Sequence, residues 1–295
     1  MPRITYLYGA PTSSYLICTT PRSGSTFLSQ ALTSIGIAGR PEEYFQQSGV
    51  AGAPRGPFDY LGGLAATTLP DDVGPPGGDT HVDPMFDPRR FTHFAEYVSW
   101  VLGTATTSNG VFGAKIMAAY MAGLTGGLRS SLGEGVPEED HRLLASVFPR
   151  LRYIRLIRRD KVRQAVSLWR AIQSWQWRED GPSGVPEPAS ERGTDGAPLR
   201  YSFDALDRLR EGLEAEERWW DGYFAAAGIE PLTIFYEDFA DRHDEAVRGI
   251  LRYLEIPLDD ERPLPSPTMR RQSDGRSHAW VERYRTEARA AGVEA

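Results

Sequence analysis

Four short apolar runs, separated by longer amphipathic stretches, leave this 295-residue chain few ways to bury its hydrophobic residues. The runs cover residues 14–20, 111–117, 150–159 and 231–236, and each has the length of a buried strand. In the stretches between them, apolar residues recur every three or four positions, which is the spacing of one helix face. This alternation predicts an α/β fold in which helices cover both faces of a mostly parallel central sheet.

Helix boundaries are marked by residues that commonly begin or end helices. The helix after the first strand is expected to end at Gly36, and Gly228 is expected to end a long helix over 202–227. Asp160 is the expected N-cap of the helix after the third strand. The buried face of that helix is expected to hold Val162, Val166, Trp169 and Ile172. Further helices are predicted over 91–103, around EAVRGILRYL and in HAWVERYRTEARA.

Two segments are too rich in glycine, proline and polar residues to indicate regular structure. Residues 46–90 are expected to form an irregular excursion, and residues 181–198 are expected to form a flexible loop. No internal repeat or shift in composition marks a domain boundary. The sequence therefore predicts a single domain over residues 1–295.

The composition argues against several classes of function. The net charge of −7 and the isoelectric point near 5.4 argue against duplex nucleic acid as a partner, because such binding needs a basic face. Cys18 is the only cysteine and the five histidines lack metal-ligand spacing, so no disulfide and no metal site are expected. No apolar stretch approaches the ~20 residues of a membrane span. The start of the chain carries no signal-peptide core, so the protein is expected in the cytoplasm.

The first strand runs into TTPRSGSTF (19–27), which has the composition of an anion-binding loop. Amide groups at a helix start attract anions, Gly24 lets a ligand approach the backbone, and Ser25 and Thr26 add hydroxyl donors. Arg22 adds a full positive charge. The stretch lacks the lysine and the spacing of a nucleoside triphosphatase loop. From these residues alone, a serine-rich helix cap without a ligand is an equally good interpretation.

The third strand ends in a second cluster of candidate anion ligands. Arg158 lies at the strand tip, and Ser167 lies one helical turn after Arg163 on the following helix. In open parallel sheets ligands bind beyond the carboxyl ends of the strands, where both clusters are expected. A solvated, arginine-rich helix face is the alternative interpretation.

Five stretches of the chain, taken in order, carry a family resemblance. They are PRSGST, GRPEEYFQ (39–46), NGVFGAK (109–115), QAVSLWRAIQSWQW (164–177) and RQSDGRSHAWVERYR (271–285). As a set they resemble the sulfotransferases that use 3'-phosphoadenosine 5'-phosphosulfate, and most closely the bacterial Stf-zero type. The resemblance implies a P-loop-like sulfotransferase fold, a reaction without a metal, and a homodimer.

The resemblance also assigns the residues that bind the donor. The 5'-phosphosulfate would be held by Arg22, Ser23, Gly24, Ser25 and Thr26. The 3'-phosphate would be held by Arg158 and Ser167, with help from Arg271, Gln272 and Arg276 of the C-terminal loop. For this last loop, the residues alone also allow a solvated arginine turn in which Ser277 caps the final helix.

Glu43, in the stretch PEEYF, matches the general base of the family, which takes the proton of the acceptor hydroxyl. Its neighbour Glu42 is expected at the surface, and an exposed acidic pair is the alternative for both. A rival base is a histidine, either His81 or His93. Arg22 is expected to stabilise the negative charge that returns to the donor's bridging oxygen.

Lys115 and Trp177 are the residues predicted to contact the acceptor. Lys115 ends the strand VFGAK, and the alternative is that its side chain only extends from the strand end into solvent. Trp169, Trp175 and Trp177 are expected on one long helix, where core packing is the alternative to stacking on a ligand. The segment 46–90 is predicted to shape the acceptor pocket.

The sequence therefore predicts a sulfotransferase that acts on a small-molecule hydroxyl acceptor: a sugar, a glycolipid or a natural product. One alternative is an ATP-dependent phosphotransferase, which is disfavoured because no loop lysine and no magnesium-binding acid pair are visible. Another is a non-catalytic binder of adenosine 3',5'-bisphosphate, which is disfavoured because Glu43 is present. Tyr236, Glu237 and Asp238 resemble a late YED of sulfotransferases, for which a structural role is expected.

Overall fold

The sheet contains four parallel strands within the part of the chain that the computed structural model describes: residues 4, 10–46, 61, 90–177, 192–193, 197–259, 261–265 and 275–293. The strands are β1 (Ser13–Thr19), β2 (Val111–Met117), β3 (Leu151–Ile157) and β4 (Leu232–Phe235). Their order across the sheet is β2-β1-β3-β4, and every pairing is parallel. The predicted α/β class and all four predicted strands are confirmed.

Helices connect and flank these strands. In chain order they are α1 (Ser25–Ile35), α2 (Phe94–Ala105), α3 (Ala118–Leu132), α4 (Asp140–Val147), α5 (Lys161–Ser174), α6 (Phe203–Ala227), α7 (Tyr236–Asp241), α8 (His243–Tyr253) and α9 (Gly275–Ala291). A short 3₁₀ helix covers Tyr44–Gln46. None of the helices in the described part of the chain has both the length and the apolar character of a bilayer span.

The chain divides into two compact units. The first unit holds residues 1–54, 82–157 and 217–267, and therefore contains the whole sheet. The second unit holds residues 55–81, 158–216 and 268–295. The single domain expected from the sequence stays a prediction.

In the first unit, alternate residues of β1 face opposite sides of the sheet. Leu16 and Cys18 lie in an apolar cluster with residues of α2, α3 and α4, whereas Tyr15 and Ile17 lie in a cluster with residues of α1, α7 and α8. All four side chains are fully buried, so helices cover both faces, as predicted. Burial also raises the pKa of the Cys18 thiol, which therefore behaves as a small apolar residue.

The second unit is built around α5. The predicted buried face of this helix is confirmed, and it packs with residues from the first half of α6 and from α9. Helix α9 runs antiparallel to α5, because Ser277 near its start bonds to Arg170 in the second half of α5, and Arg285 in its second half bonds to Asp160, the N-cap of α5. Polar contacts thus attach α9 to α5 and its N-cap at two points.

Several predicted boundaries are wrong. Helix α9 begins at Gly275, so Ser277 lies inside the helix and does not cap it. Helix α5 ends at Ser174, and Trp175 takes a left-handed conformation with φ 59°, so Trp175 and Trp177 are not on the helix that holds Trp169. A left-handed residue reverses the chain direction and ends a helix.

Other predictions fall on residues that the structure does not describe. The excursion over 46–90 lies outside the described residues except for its two ends and Leu61. The loop over 181–198 lies outside them except for residues 192–193 and 197–198. Arg271, Gln272 and His81 also lie outside the described residues.

Candidate active site

The loop between β1 and α1 is shaped by two residues with positive φ angles. Arg22 has φ 59°, and Gly24, the N-cap of α1, has φ 91°. Gly24 brings no side chain to the amide groups of the first helical turn, and those groups are the ones that bind anions. Ser25 and Thr26 begin the helix, with Ser25 buried and Thr26 partly exposed. This loop has the chemistry of a cradle for an anionic group.

The preceding residues hold this loop from inside. The hydroxyl groups of Ser23 and Thr19 lie 2.5 Å apart, and Ser23 is fully buried. The Thr19 hydroxyl also donates to the carbonyl of Leu156 on β3, at 3.2 Å. The indole of Trp220 donates to the carbonyl of Thr19 at 3.0 Å. The Ser23 side chain therefore supports the loop from the protein interior.

After α1 the chain turns back along β2 by way of two glycines with positive φ angles. Gly36 ends the helix with φ 80° and Gly39 follows with φ 74°. A side chain at Gly39 would lie 2.7 Å from the backbone nitrogen of Gly113, so only glycine permits this close approach. Beyond it, the amide of Lys115 donates to the carbonyl of Glu42 at 3.0 Å, which places residue 42 beside β2. The next residue is Glu43.

This return brings three predicted site residues together. The ammonium nitrogen of Lys115 lies 3.4 Å from the Oε2 of Glu43 and 3.4 Å from the hydroxyl oxygen of Thr26. The side chain of Lys115 is 7% exposed and that of Glu43 is 18% exposed. A carboxylate, an ammonium group and a hydroxyl group therefore form one polar cluster at the first turn of α1. The first loop and the predicted base belong to a single site.

The residues after Glu43 fix its position. Tyr44 and Phe45 are buried, and Tyr97 donates from α2 to the carbonyl of Tyr44. The Tyr44 hydroxyl donates to the carbonyl of Arg40 at 2.7 Å. Burial and the nearby charge of Glu42 raise the pKa of Tyr44, so its phenol stays protonated near neutral pH and is unsuited to act as the base. The rival base His93 is exposed, at the N-cap of α2.

In the second unit, the start of α5 already carries an internal anion. The Asp160 carboxylate accepts from the backbone amide of Arg163 at 2.9 Å, as predicted for the N-cap. Its other oxygen lies 3.0 Å from Arg285 and 3.1 Å from the side chain of Arg163. An external anion beside the start of α5 would therefore depend mainly on side chains such as Arg158 and Ser167, since Asp160 already accepts from a first-turn amide.

Of the donor ligands predicted in the C-terminal loop, the structure describes Arg276, which lies in the first turn of α9. Its neighbour Ser277 bonds to the buried guanidinium of Arg170 at 2.5 Å, beside the second half of α5. Arg158 precedes the first turn of that helix, which is ~21 Å long at 1.5 Å per residue. The sequence had not singled out Arg170, although its place three residues after Ser167 puts it on the same helix face.

Trp177 is partly buried and packs against the apolar cluster of the second unit. Its ring makes an edge contact with Trp175, with centroids 6.0 Å apart. These contacts fit the core-packing alternative, and the predicted contact with the acceptor stays a prediction. Within the described ranges, no group of three or more His, Cys, Asp or Glu side chains is arranged to hold a metal ion.

Comparison with known proteins gives a match over nearly the whole chain. A family model described as Stf0 sulphotransferase matches residues 14–287. A relative from Mycobacterium tuberculosis (strain ATCC 35801 / TMC 107 / Erdman), named trehalose 2-sulfotransferase, is 30% identical over 95% of this chain and 97% of its own length. A relative of the same name from Mycolicibacterium smegmatis (strain ATCC 700084 / mc(2)155) is also 30% identical, over the same shares of both chains.

Proposed function

Because the chain belongs to the Stf0 sulphotransferase family, we propose that it transfers a sulfuryl group from 3'-phosphoadenosine 5'-phosphosulfate to a hydroxyl group of a sugar, a glycolipid or a natural product. The observation that carries the proposal is the cluster of Glu43, Lys115 and Thr26. In this cluster, a carboxylate that can remove a proton lies beside the loop that can bind an anionic donor. The two activities that sulfuryl transfer needs thereby meet within one unit.

The residues of the first loop fit the donor's phosphosulfate. The glycine-capped start of α1 offers amide groups, Ser25 and Thr26 offer hydroxyl groups, and Arg22 offers a guanidinium. When bound, the donor supplies the sulfuryl group and leaves as adenosine 3',5'-bisphosphate. Arg22 and the amide groups oppose the negative charge that its 5'-phosphate regains. The ligands proposed for the 3'-phosphate are Arg158, Ser167, Arg271, Gln272 and Arg276.

Glu43 is proposed to take the proton of the acceptor hydroxyl. Its carboxylate is enclosed but not sealed from solvent, so an acceptor can reach it. Lys115 holds that carboxylate beside Thr26 and is proposed to bond to the acceptor as well. Trp177 is proposed to stack on the acceptor, since a tryptophan face packs well on an apolar sugar face.

The names of the two relatives make a sugar the first acceptor to test, and trehalose the first sugar. The proposal expects radioactive sulfate to pass from labelled donor to a hydroxyl compound in the presence of the purified protein. Trehalose, other sugars and an extract of the producing organism serve as the acceptor panel.

Two results would overturn the proposal. Binding of adenosine 3',5'-bisphosphate without transfer to any acceptor in the panel would support a non-catalytic binder. A ligand at a hundredfold excess over its Kd stabilises a protein by ~2.7 kcal/mol, so at equal concentrations the tighter ligand stabilises more. A larger thermal stabilisation by magnesium ATP than by adenosine 3',5'-bisphosphate would therefore support a phosphotransferase.

A further inference from the structure

The first loop is in direct contact with an aromatic ring that the reaction itself does not use. A side chain added at Gly24 would place its Cβ 2.2 Å from the Cδ2 and 2.6 Å from the Cε2 of Tyr236. Such separations are far below any real carbon–carbon contact, so the ring lies against the α-carbon of Gly24. Gly24 also has φ 91°, a conformation that residues with a side chain rarely adopt. Two independent features thus disfavour any residue with a side chain at this point.

The position of Tyr236 in the sheet explains this contact. Tyr236 is the first residue after β4, and β3 lies between β4 and β1. Two strand spacings separate β4 from β1, a distance of ~10 Å. The tyrosine ring and the loop that follows β1 therefore meet at the carboxyl end of β3, the strand that lies between β1 and β4. Both strand ends belong to the first unit.

The segment that begins with Tyr236 contacts α1 at a second point. Phe239, three residues after Tyr236, packs on Phe27 in the first turn of α1, with centroids 4.6 Å apart. His243 continues the face, 5.7 Å from the ring of Phe27 and 5.4 Å from that of Phe239. The segment from 236 to 243 thus contacts both the loop and the helix start, and each contact limits the movement of the other.

We infer that Tyr236 is a positioning residue, whose ring holds Gly24 in its left-handed conformation and thereby aims the amide groups of Ser25 and Thr26 at the donor. This inference rests on the proposed function for the identity of the donor. The ring carries the effect and the hydroxyl group does not, because the contact with Gly24 is made by ring carbons. Loss of the ring lets the loop sample other conformations, and only a fraction of the molecules is then ready to bind.

The first experiment measures the affinity of Y236L and Y236F for adenosine 3',5'-bisphosphate by calorimetry. Y236L should bind about tenfold more weakly, whereas Y236F should bind as the wild type does. The matched control is Y253L, because Tyr253 is another partly buried tyrosine of the first unit, and its hydroxyl bonds to Tyr153 away from the loop. Y253L should lower the melting temperature without lowering the affinity. Equal losses in Y236F and Y236L would overturn the inference, since they would assign the effect to the hydroxyl group.

A second measurement needs no ligand. Amide hydrogen exchange at Leu28, whose amide donates to the carbonyl of Gly24 at 3.1 Å, should be about tenfold faster in Y236L than in Y236F. If the wild type fails to bind adenosine 3',5'-bisphosphate, the proposed donor is wrong, and the exchange rates still decide whether Tyr236 orders the loop. Unchanged exchange in Y236L would overturn the inference whatever the donor proves to be.

A double-mutant cycle with G24A tests the contact itself. Part of the loss in G24A comes from overlap with the ring, so G24A should cost less affinity in the Y236L background than in the wild type. Additive losses would mean that the two residues act independently, which would contradict the inference.

Discussion

Two helices of this protein begin directly after a strand and beside predicted phosphate ligands, and their first turns differ in one respect. Helix α1 is capped by Gly24, which has no side chain, whereas α5 is capped by Asp160, whose carboxylate accepts from a first-turn amide. The positive end of α1 is therefore open to a ligand, and that of α5 is already neutralised. The first region can bind an anion through its backbone, and the second must rely on side-chain charge.

This difference predicts what each region will tolerate. In the first region a substitution acts through backbone shape, because Gly24 has no substitute that avoids both the positive φ and the ring of Tyr236. In the second region a substitution acts through charge, so its effect should depend on salt concentration. Glu43 lies in the first region and is not one of the proposed donor ligands. A substitution of Glu43 can therefore test turnover separately from donor binding in both regions.

The largest effect is expected from E43Q. The substitution keeps the shape of the side chain and removes the proposed base, so turnover should fall roughly 10²–10⁴-fold. The affinity for adenosine 3',5'-bisphosphate should not change, because neither anion region loses a ligand. Steady-state kinetics and calorimetry on one preparation measure both quantities.

The matched control for this variant is E42Q, since Glu42 is the neighbouring residue, is also partly buried, and is placed beside β2 by a bond to its backbone carbonyl. E42Q should keep normal turnover. Near-normal turnover in E43Q, together with a collapse on replacing His81 or His93, would transfer the role of base to a histidine.

An intermediate effect is expected from R158A. The variant loses a charge-assisted bond to phosphate, which is worth ~1.5–3 kcal/mol. Its affinity for adenosine 3',5'-bisphosphate should therefore fall by roughly 10–150-fold. Adenosine 5'-monophosphate, which lacks the 3'-phosphate, should bind the variant and the wild type equally well. R208A removes an exposed arginine of the same unit and is the control for net charge. An equal loss for both nucleotides would remove Arg158 from the 3'-phosphate site.

The smallest effect is expected from D160N. This variant tests whether the carboxylate at the start of α5 weakens binding of the 3'-phosphate in the second region. Asparagine is also a good N-cap, so the helix start should be kept. The free energy of unfolding should fall by only about 0.5–1 kcal/mol, because the ion pair with Arg285 that is lost is partly exposed. Removal of the negative charge should strengthen binding of the 3'-phosphate about two- to threefold at low salt, and less at high salt. Weaker binding at low salt would show that Asp160 organises the arginines and does not compete with the ligand.

Much of the first region could be predicted from the sequence because its signals are local. The apolar run before residue 20, the small residues of the loop and the stop at Gly36 each determine the structure of a few neighbouring residues. The turn that returns Glu43 was also predictable, from its two glycines. The distance of 3.4 Å between Glu43 and Lys115 was not, since it depends on which strand the returning chain meets.

The elements that sequence reasoning missed depend on tertiary contacts. Helix α3 contains several glycines, which weaken its helical signal, and it is stabilised where Met121, Leu124 and Leu128 are buried against the sheet. The contact between Tyr236 and Gly24 joins residues more than two hundred positions apart, so no local pattern reveals it. Trp177 was assigned to a helix because a helical pattern gives no warning of a left-handed residue at Trp175.

The anchoring of Glu43 has a consequence for how acceptor range can be altered. The described contacts that fix this residue join residues 39–45 to α2 and β2: the close approach of Gly39 to β2, the bond from Lys115 to Glu42 and the bond from Tyr97 to Tyr44. We therefore propose that the segment predicted to shape the acceptor pocket, residues 46–90, can be exchanged between homologues with these contacts retained. Such an exchange would alter the acceptor range while the proposed donor loop and the proposed base stay the same.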